Sequence, residues 1–441
     1  MALTKAEVLK IVKQKKVKFV KLWFVDIQGQ LKNFSISINE LDKALDEGMG
    51  FDGSSIEGFA RIFESDLVAK PIPSTFTILP WRPSESAVAG MFCDILNPDG
   101  TPYEGDTRYV LKRNLETLHK MGLTFYVGPE LEYFYFKNDK GTEVLDNGGY
   151  FDALPLDEAR DLRRDTILYL EQMGINVEYS HHEVAPSQHE IDLRYTDALT
   201  MADNVIIYKM VVKEVAWQKG CYASFMPKPM FGVNGSGMHT HQSLFKGPRN
   251  AFYELKDKYH LSQAGKSYIA GILKHVAEMT AVFNQWVNSY KRLVPGYEAP
   301  AYISWARRNR SALVRVPMYK PGKENATRIE LRSPDPSCNP YLAFSLMLAA
   351  GLDGMKNNYK LAEPVERDIF IMDEGELERE NIKCLPGSLI EAVTLFEKSV
   401  LAKKVLGDHI FHKFIENKKI EWDKYSMQVT NYEIQEYLPI L

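Results

Sequence analysis

The passage Asn97-Pro98-Asp99-Gly100-Thr101-Pro102 constrains the fold most, because two prolines and a glycine within six residues interrupt any helix or central strand. A chain of 441 residues is too long for one ordinary core, so the break predicts a small domain before it and a larger one after. In the first part, residues 4–15 suit a helix that opens on a capping box of Thr4 and Glu7. Residues 17–25 read as a strand, followed by a Gln28-Gly29 turn. After the break, Leu111, Leu115 and Leu118 share one face of a predicted helix over 108–121. Strands are expected at 133–136 and 329–331. Helices are expected at 162–173, 200–219, 265–290 and 341–355, with a mainly helical tail from 390. These patterns predict a two-domain protein that mixes helices and strands, and no more.

Composition narrows the class. Formal net charge is −4, so no basic surface points to nucleic acid. The apolar runs are much shorter than a membrane span, and residues 1–24 mix lysines into their apolar stretch, unlike a signal peptide. Cys93, Cys221, Cys338 and Cys384 are far apart and form no CxxC pair, which argues against zinc or a disulfide framework and for a reducing, cytoplasmic setting.

Five segments carry unusual polar content. In Gly128-Pro129-Glu130-Leu131-Glu132-Tyr133-Phe134, the two carboxylates share a strand face, either as a solvated surface or with a cation between them. In His181-His182-Glu183-Val184-Ala185-Pro186-Ser187-Gln188-His189-Glu190, the carboxylates are an odd number apart. They converge only if the stretch from Ala185 to Gln188 turns the chain, and a surface hairpin is the other reading. The stretch from Lys228 to Ser243 joins a small-residue loop, Gly232-Val233-Asn234-Gly235-Ser236-Gly237, to His239 and His241, which share a face if extended. It suits a nucleotide and metal site but does not match the usual phosphate loop. A fourth segment holds Arg292, Glu298, Arg307, Arg308, Arg310 and Arg315, forks for carboxylate or phosphate, or else a solvated basic loop. The fifth places Arg328, Glu330 and Arg332 on one strand face. Many carboxylates with few nitrogens and no cysteine suit magnesium or manganese rather than zinc, and arginine forks beside them suit phosphate chemistry.

In this order, the segments resemble the glutamine synthetase family of bacterial and archaeal type. Phe51-Asp52-Gly53-Ser54-Ser55 with Glu64-Ser65-Asp66 is similar to its N-terminal signature, and the stretch from Lys228 to Ser243 is similar to its ATP-region signature. The likeness continues through Asn309-Arg310-Ser311, Ser333-Pro334-Asp335-Pro336, Asn339-Pro340-Tyr341 and Ala350-Gly351-Leu352-Asp353-Gly354, so it spans nearly the whole chain. The resemblance implies an α+β fold. Residues 1–104 would form a small β-grasp-like domain, and 105–441 a catalytic domain with a curved antiparallel sheet flanked by helices. It implies a homo-oligomer, a dodecamer of two stacked hexameric rings, with sites between neighbouring subunits. It also implies ATP-dependent joining of ammonia to glutamate through a γ-glutamyl phosphate, in the service of nitrogen assimilation.

Residue roles follow from the same resemblance. Glu132, Glu183 and Glu190 match ligands of a metal near glutamate and ammonium, and Glu130, His239 and Glu330 match ligands of a metal on the ATP phosphates. The metal implied is Mg2+, two or more per subunit, with Mn2+ as the alternative. Asn234, Gly235, Arg292 and Arg332 match glutamate-binding positions. Glu178, Tyr195, His241, Ser243, Arg315 and Arg328 match ATP contacts, and Arg310 the arginine that steadies the transferring phosphoryl. Asp52 matches the residue that takes a proton from ammonium, and Glu298 the carboxylate of a closing flap.

Phe370 stands where adenylylated relatives carry a tyrosine, so that modification is not expected, and Arg61 resembles the product-sensing arginine of the feedback-inhibited subtype. Lys323 lies in a stretch that departs from some relatives and is left without a role. A regulatory protein partner is compatible with the subtype. Rival readings are a ligase for other amines and a non-catalytic scaffold; all six metal positions match, which disfavours the scaffold.

Overall fold

The computed structural model describes residues 3–54, 56, 58, 66–294, 300–318 and 320–441. The predicted roles of Arg61 and Glu298, and part of the Asp52 signature (Ser55, Glu64 and Ser65), fall outside the described residues.

The chain opens with helix α1 (Lys5–Gln14), where Thr4 and Glu7 form the expected capping box. Six strands then make the small sheet: β1 (Val17–Val25), β2 (Leu31–Ser37), β3 (Met49–Asp52), β4 (Asp66–Pro71), β5 (Thr77–Ile78) and β6 (Ala87–Leu96), with α2 (Leu41–Glu47) between β2 and β3. The order is β2-β1-β6-β4-β3, with β5 on β6. Val20, Leu22 and Phe24 of β1 enter a core shared with α1 and α2, whereas Trp23 and Val25 join the core of the larger unit. Period-two alternation therefore makes β1 a wall between two cores.

From α3 (Thr107–Lys120) onward the chain builds the large sheet. Its strands are β7 (Thr124–Phe136), β8 (Val177–His182), β9 (Gln188–Leu193), β10 (Thr196–Asp197), β11 (Tyr222–Ser224), β12 (Met238–Lys246), β13 (Arg249–Asn250), β14 (Tyr302–Ala306), β15 (Ala312–Arg315), β16 (Ile329–Leu331) and β17 (Lys383–Cys384). The path runs β17-β14-β15-β16-β12-β7-β9-β8, and β10 and β11 both pair with β7. It is antiparallel as expected except for β14 and β15, which run parallel. Helices α4 (Arg160–Gln172), α5 (Ala198–Gln218), α6 (Gln263–Phe283), α7 (Ser289–Arg292), α8 (Pro340–Lys356) and α9 (Glu374–Arg379) flank it. The tail follows as α10 (Leu389–Phe396), α11 (Val400–Leu406), α12 (Asp408–Ser426) and α13 (Asn431–Tyr437).

Phe125, Val127, Leu131, Tyr133 and Tyr135 of β7 point into the main core with α5 and α8, so the even-numbered Glu130 and Glu132 are left on the opposite face. Helices α6 and α8 pack backbone to backbone; a Cβ on Gly354 would stand 2.0 Å from the Ser267 carbonyl oxygen. The helix expected over 265–290 is interrupted. It ends at Phe283 because Asn284 turns its side chain to the Ser333 carbonyl and the Asp335 carboxylate, while Gln285 donates to the carbonyls of Gln28 and Ser337. Among the described residues, no helix is long and apolar enough to cross a membrane.

Candidate active site

Strand register assembles the site. Across β7 and β9, Glu130 lies opposite Asp192 and Glu132 opposite Glu190. Beyond β9, His181 of β8 lies opposite Glu190. On the other side of β7, His239 of β12 lies opposite Glu130, and His241 lies opposite Glu330 of β16. Arg315 of β15 closes this row opposite Glu330. Laterally paired residues share a face, so carboxylates from three strands, β7, β9 and β16, meet on one side of the sheet. The alternations expected for Glu130 with Glu132 and for His239 with His241 place them here.

Glu130, His239 and Glu330 offer ligand atoms within 4.8 Å of one another, the set expected for one metal. His241 Nε2 lies 2.7 Å from Glu130 Oε1, while Glu130 Oε2 faces His239 Nδ1 at 3.6 Å. Arg315 Nε donates to Glu330 Oε2 at 2.5 Å, leaving Glu330 Oε1 toward His239 Nδ1 at 4.0 Å. Burial pushes the Glu130 carboxyl up, but His241 and His239 together outweigh it and hold the group well below its ordinary range.

The second set differs from the expected grouping. Glu183 and Glu190 do converge, because Ser187 at φ +56° turns the chain between β8 and β9, but the third member within 4.8 Å is His181 rather than Glu132. His181 Nε2 contacts Glu183 Oε1 at 2.8 Å. Glu132 stands beside the pair, its Oε2 accepting from Gln188 Nε2 and the Gly237 N–H, both at 2.9 Å. Burial pushes its carboxyl up to about 8, with the Glu183 charge adding to the effect. Burial, then Asp192 and Glu132, drive Glu190 well above its ordinary range. Carboxylates this crowded and this raised fit oxygen-seeking divalent cations, which let all of them ionise together. His181 and Asp192 were not singled out from the sequence as ligands. The register of β8 and β9 brings them in, and period two from Glu190 was the only available signal for Asp192.

The loop before β12 is shaped by close approach. A Cβ on Gly235 would lie 2.3 Å from the Pro227 carbonyl oxygen, and one on Gly237 would lie 2.5 Å from Arg292 Nη2. Arg292 is buried and donates to the Ser333 carbonyl at 2.8 Å and the Arg332 carbonyl at 3.2 Å. Arg332 Nε lies 3.3 Å from Glu330 Oε1, and its Nη1 bonds the Arg310 carbonyl. Gly235, Arg292 and Arg332 thus gather beside Glu132 and Glu330, and Asn234 precedes Gly235 in the same loop. Arg310 itself is exposed and lines an open cavity with Asp368 and Phe370.

A cavity of about 270 Å³ adjoins Glu130, and Glu178, Tyr195, His241, Ser243 and Arg328 all line it. Arg328 Nε donates to His241 Nδ1 at 3.2 Å. The exposed Tyr195 ring meets Tyr126 edge to face at 5.9 Å. A further cavity, about 1000 Å³, lies between α5, β2 and α12, and no predicted site residue lines it. Asp52 stands apart on the small sheet, at the exposed end of β3, accepting from the Ser54 N–H at 2.8 Å.

Residues 16–98 match the glutamine synthetase beta-Grasp domain, and residues 104–437 match the glutamine synthetase catalytic domain. The chain is 53% identical to a glutamine synthetase of Methanosarcina mazei, over 99% of this chain and 98% of that relative. It is 52% identical to a glutamine synthetase of Mycolicibacterium smegmatis, over 98% of each. Among solved structures, a GmaS/ADP complex is similar with a TM-score of 0.90 at 30% identity, over 98% of this chain and 99% of the other. The cryoEM glutamine synthetase of Plasmodium falciparum is similar with a TM-score of 0.89 at 26% identity, over 99% of each. Both domains and about half of all residues agree with such relatives, and the chain belongs to the glutamine synthetase family as one of its enzymes.

Proposed function

We propose that this enzyme forms L-glutamine from L-glutamate and ammonia, using ATP and releasing ADP and phosphate through a γ-glutamyl phosphate. The observation that carries the reading is the pair of carboxylate groups on one sheet face, Glu130 with His239 and Glu330, and Glu183 with Glu190, flanked by the cavity of Glu178, Tyr195 and Arg328. The first group is assigned to a cation on the nucleotide phosphates. The second, with Glu132, is assigned to a cation near glutamate. Magnesium suits donors that are nearly all carboxylate oxygens, with manganese as the alternative. Such cations, when bound, neutralise charge on the phosphates and on the glutamate carboxylate.

The chain's own residues do the rest. A carboxylate is a poor acylating agent until phosphoryl transfer gives it a leaving group. Arg310, Arg315 and Arg328 balance charge along the phosphates, and Arg292 and Arg332, with Asn234 and Gly235, hold glutamate. Tyr195 packs on adenine, and Ser243 and His241 bound the nucleotide. Ammonium has no free lone pair, so Asp52 removes a proton before attack on the acyl carbon. Because Asp52 sits on the small sheet, the reading gives each site an Asp52 from a neighbouring copy in a dodecamer of two six-membered rings. Glu298 closes over the intermediate and excludes water.

Residues 1–104 and 105–441 serve as the two domains; the small core reaches Tyr103, and α3 begins at Thr107. Four free cysteines suit a reducing cytoplasm, and nitrogen assimilation is the process served. Arg61 is assigned to glutamine feedback, and Phe370 leaves no hydroxyl to adenylylate. A coupled assay with glutamate, ATP and ammonium tests the reaction. Phosphate release is expected to need all three. Turnover that persists without glutamate, or that prefers another amine to ammonium, would sink the reading.

A further inference from the structure

Three histidines in the stretch from His181 to Glu190 do not share one role. His181 faces the site, but His182 pairs with His189 across β8 and β9, and their rings lie 4.6 Å apart on the core side of the sheet. Both are fully buried, as is Asp146, which arrives from the loop between β7 and α4. Asp146, His182 and His189 have the spacing of an ion site, but their hydrogen bonds commit the ring nitrogens elsewhere. His182 Nδ1 donates to the Glu183 carbonyl at 2.7 Å, and its Nε2 faces Asp146 Oδ1 at 2.8 Å. His189 Nδ1 lies 2.7 Å from Arg163 Nη1, which can only donate, so the His189 proton sits on Nε2 and points toward Asp146 Oδ2 at 3.9 Å. Arg163 is itself held by Asp157 in a two-pronged pair. Both ring nitrogens of His182 and Nδ1 of His189 are thus engaged within the protein.

The same loop grips the turn directly. Ser187 Oγ accepts from the N–H groups of Leu145 and Asp146 at 2.7 and 3.1 Å, and the Ser187 N–H donates to Asp146 Oδ1 at 3.0 Å. Asp146 therefore holds both ends of the turn between Glu183 and Glu190, one through His182 and the other through Ser187. We propose that Asp146 is a positioning residue: with His182 and Ser187 it forms a buried clamp behind the sheet that sets the separation of the Glu183 and Glu190 carboxylates. The affinity for a divalent cation at that pair then depends on a loop that never touches it. This rests on reading Glu183 and Glu190 as cation ligands.

The test is Mn2+ titration of the full chain, followed calorimetrically without substrates. Glu183→Gln and Glu330→Gln identify which binding step belongs to which group. Asp146→Ala, which removes the one oxygen that both clamp bonds end on, is expected to weaken the Glu183 step about 10–100-fold, the usual cost of losing an outer partner. The Glu330 step should stay within about threefold, and the circular dichroism of the metal-free protein should not change. Should Asp146→Ala fail to fold, His182→Gln keeps a donor toward Asp146 but drops the Glu183 carbonyl, and must weaken the same step alone. The clamp is overturned if both steps keep their wild-type affinity, or if both weaken in parallel. If Glu183→Gln leaves every wild-type step intact, the ligand assignment fails and the clamp fails with it, an outcome distinct from unchanged binding in Asp146→Ala alone.

Discussion

Substituting Gly237 by alanine probes the loop that joins the glutamate and cation groups. The added methyl would stand 2.5 Å from Arg292 Nη2 and 3.1 Å from His239 Nε2, where ordinary contact begins at 3.4 Å. The backbone of Gly237 is pinned, since its N–H donates to Glu132 Oε2 at 2.9 Å and its carbonyl accepts from the Glu132 N–H at 3.1 Å. The guanidinium must therefore give way by roughly 1 Å, a displacement that can cost about 100-fold when it misplaces a substrate-holding group. Such a shift breaks at least one of its bonds to the carbonyls of Ser333 and Arg332. A hydrogen bond from a charged donor contributes about 1.5–3 kcal/mol, which corresponds to roughly a 10- to 150-fold fall in kcat/KM for glutamate. The KM for ATP should change little, because the nucleotide cavity lies across Glu130 from this loop. Steady-state kinetics with each substrate varied in turn make the measurement. A kcat/KM for glutamate within twofold of wild type, or an equal loss for ATP, refutes the reasoning.

Asp52→Ala should leave ATP binding nearly unchanged while amide formation collapses, as read by nucleotide fluorescence against glutamine production; equal loss of both contradicts the division of labour. Cation binding should release protons at pH 7. The Glu132 carboxyl, raised to about 8 by burial and Glu183, is mostly protonated there and must ionise to join a cation. Binding enthalpy should then vary with buffer ionisation heat at pH 7, and this dependence should fade as pH rises past 9; no buffer dependence at pH 7 counts against it. Gly354→Ala forces a methyl to within 2.0 Å of the Ser267 carbonyl oxygen between α6 and α8, and should cost about 1–3 kcal/mol or more in chemical denaturation.

Local geometry was legible from the residues alone. The capping box of Thr4 and Glu7 opens α1, and β1 spans Val17–Val25 as its apolar pattern predicts. The spacing of Glu130 with Glu132 and of His239 with His241 placed each pair on one face. In each case the cause is short-range: backbone pleat, helix period and cap chemistry act within a few residues. What the tertiary structure decided lies between distant segments. Register across β8, β9, β7, β12 and β16 put His181 within 4.8 Å of Glu183 and Glu190, with Glu132 engaged by Gln188 and Gly237 instead. Packing against Ser333 and Asp335 ended α6 at Phe283 where apolar periodicity ran on. The division of adjacent His181 and His182 between the site and the core, and the grip of Asp146 on Ser187, also come from that packing. Strand partners and loop contacts are chosen by how whole elements bury their apolar faces, and no window of neighbouring residues contains that choice.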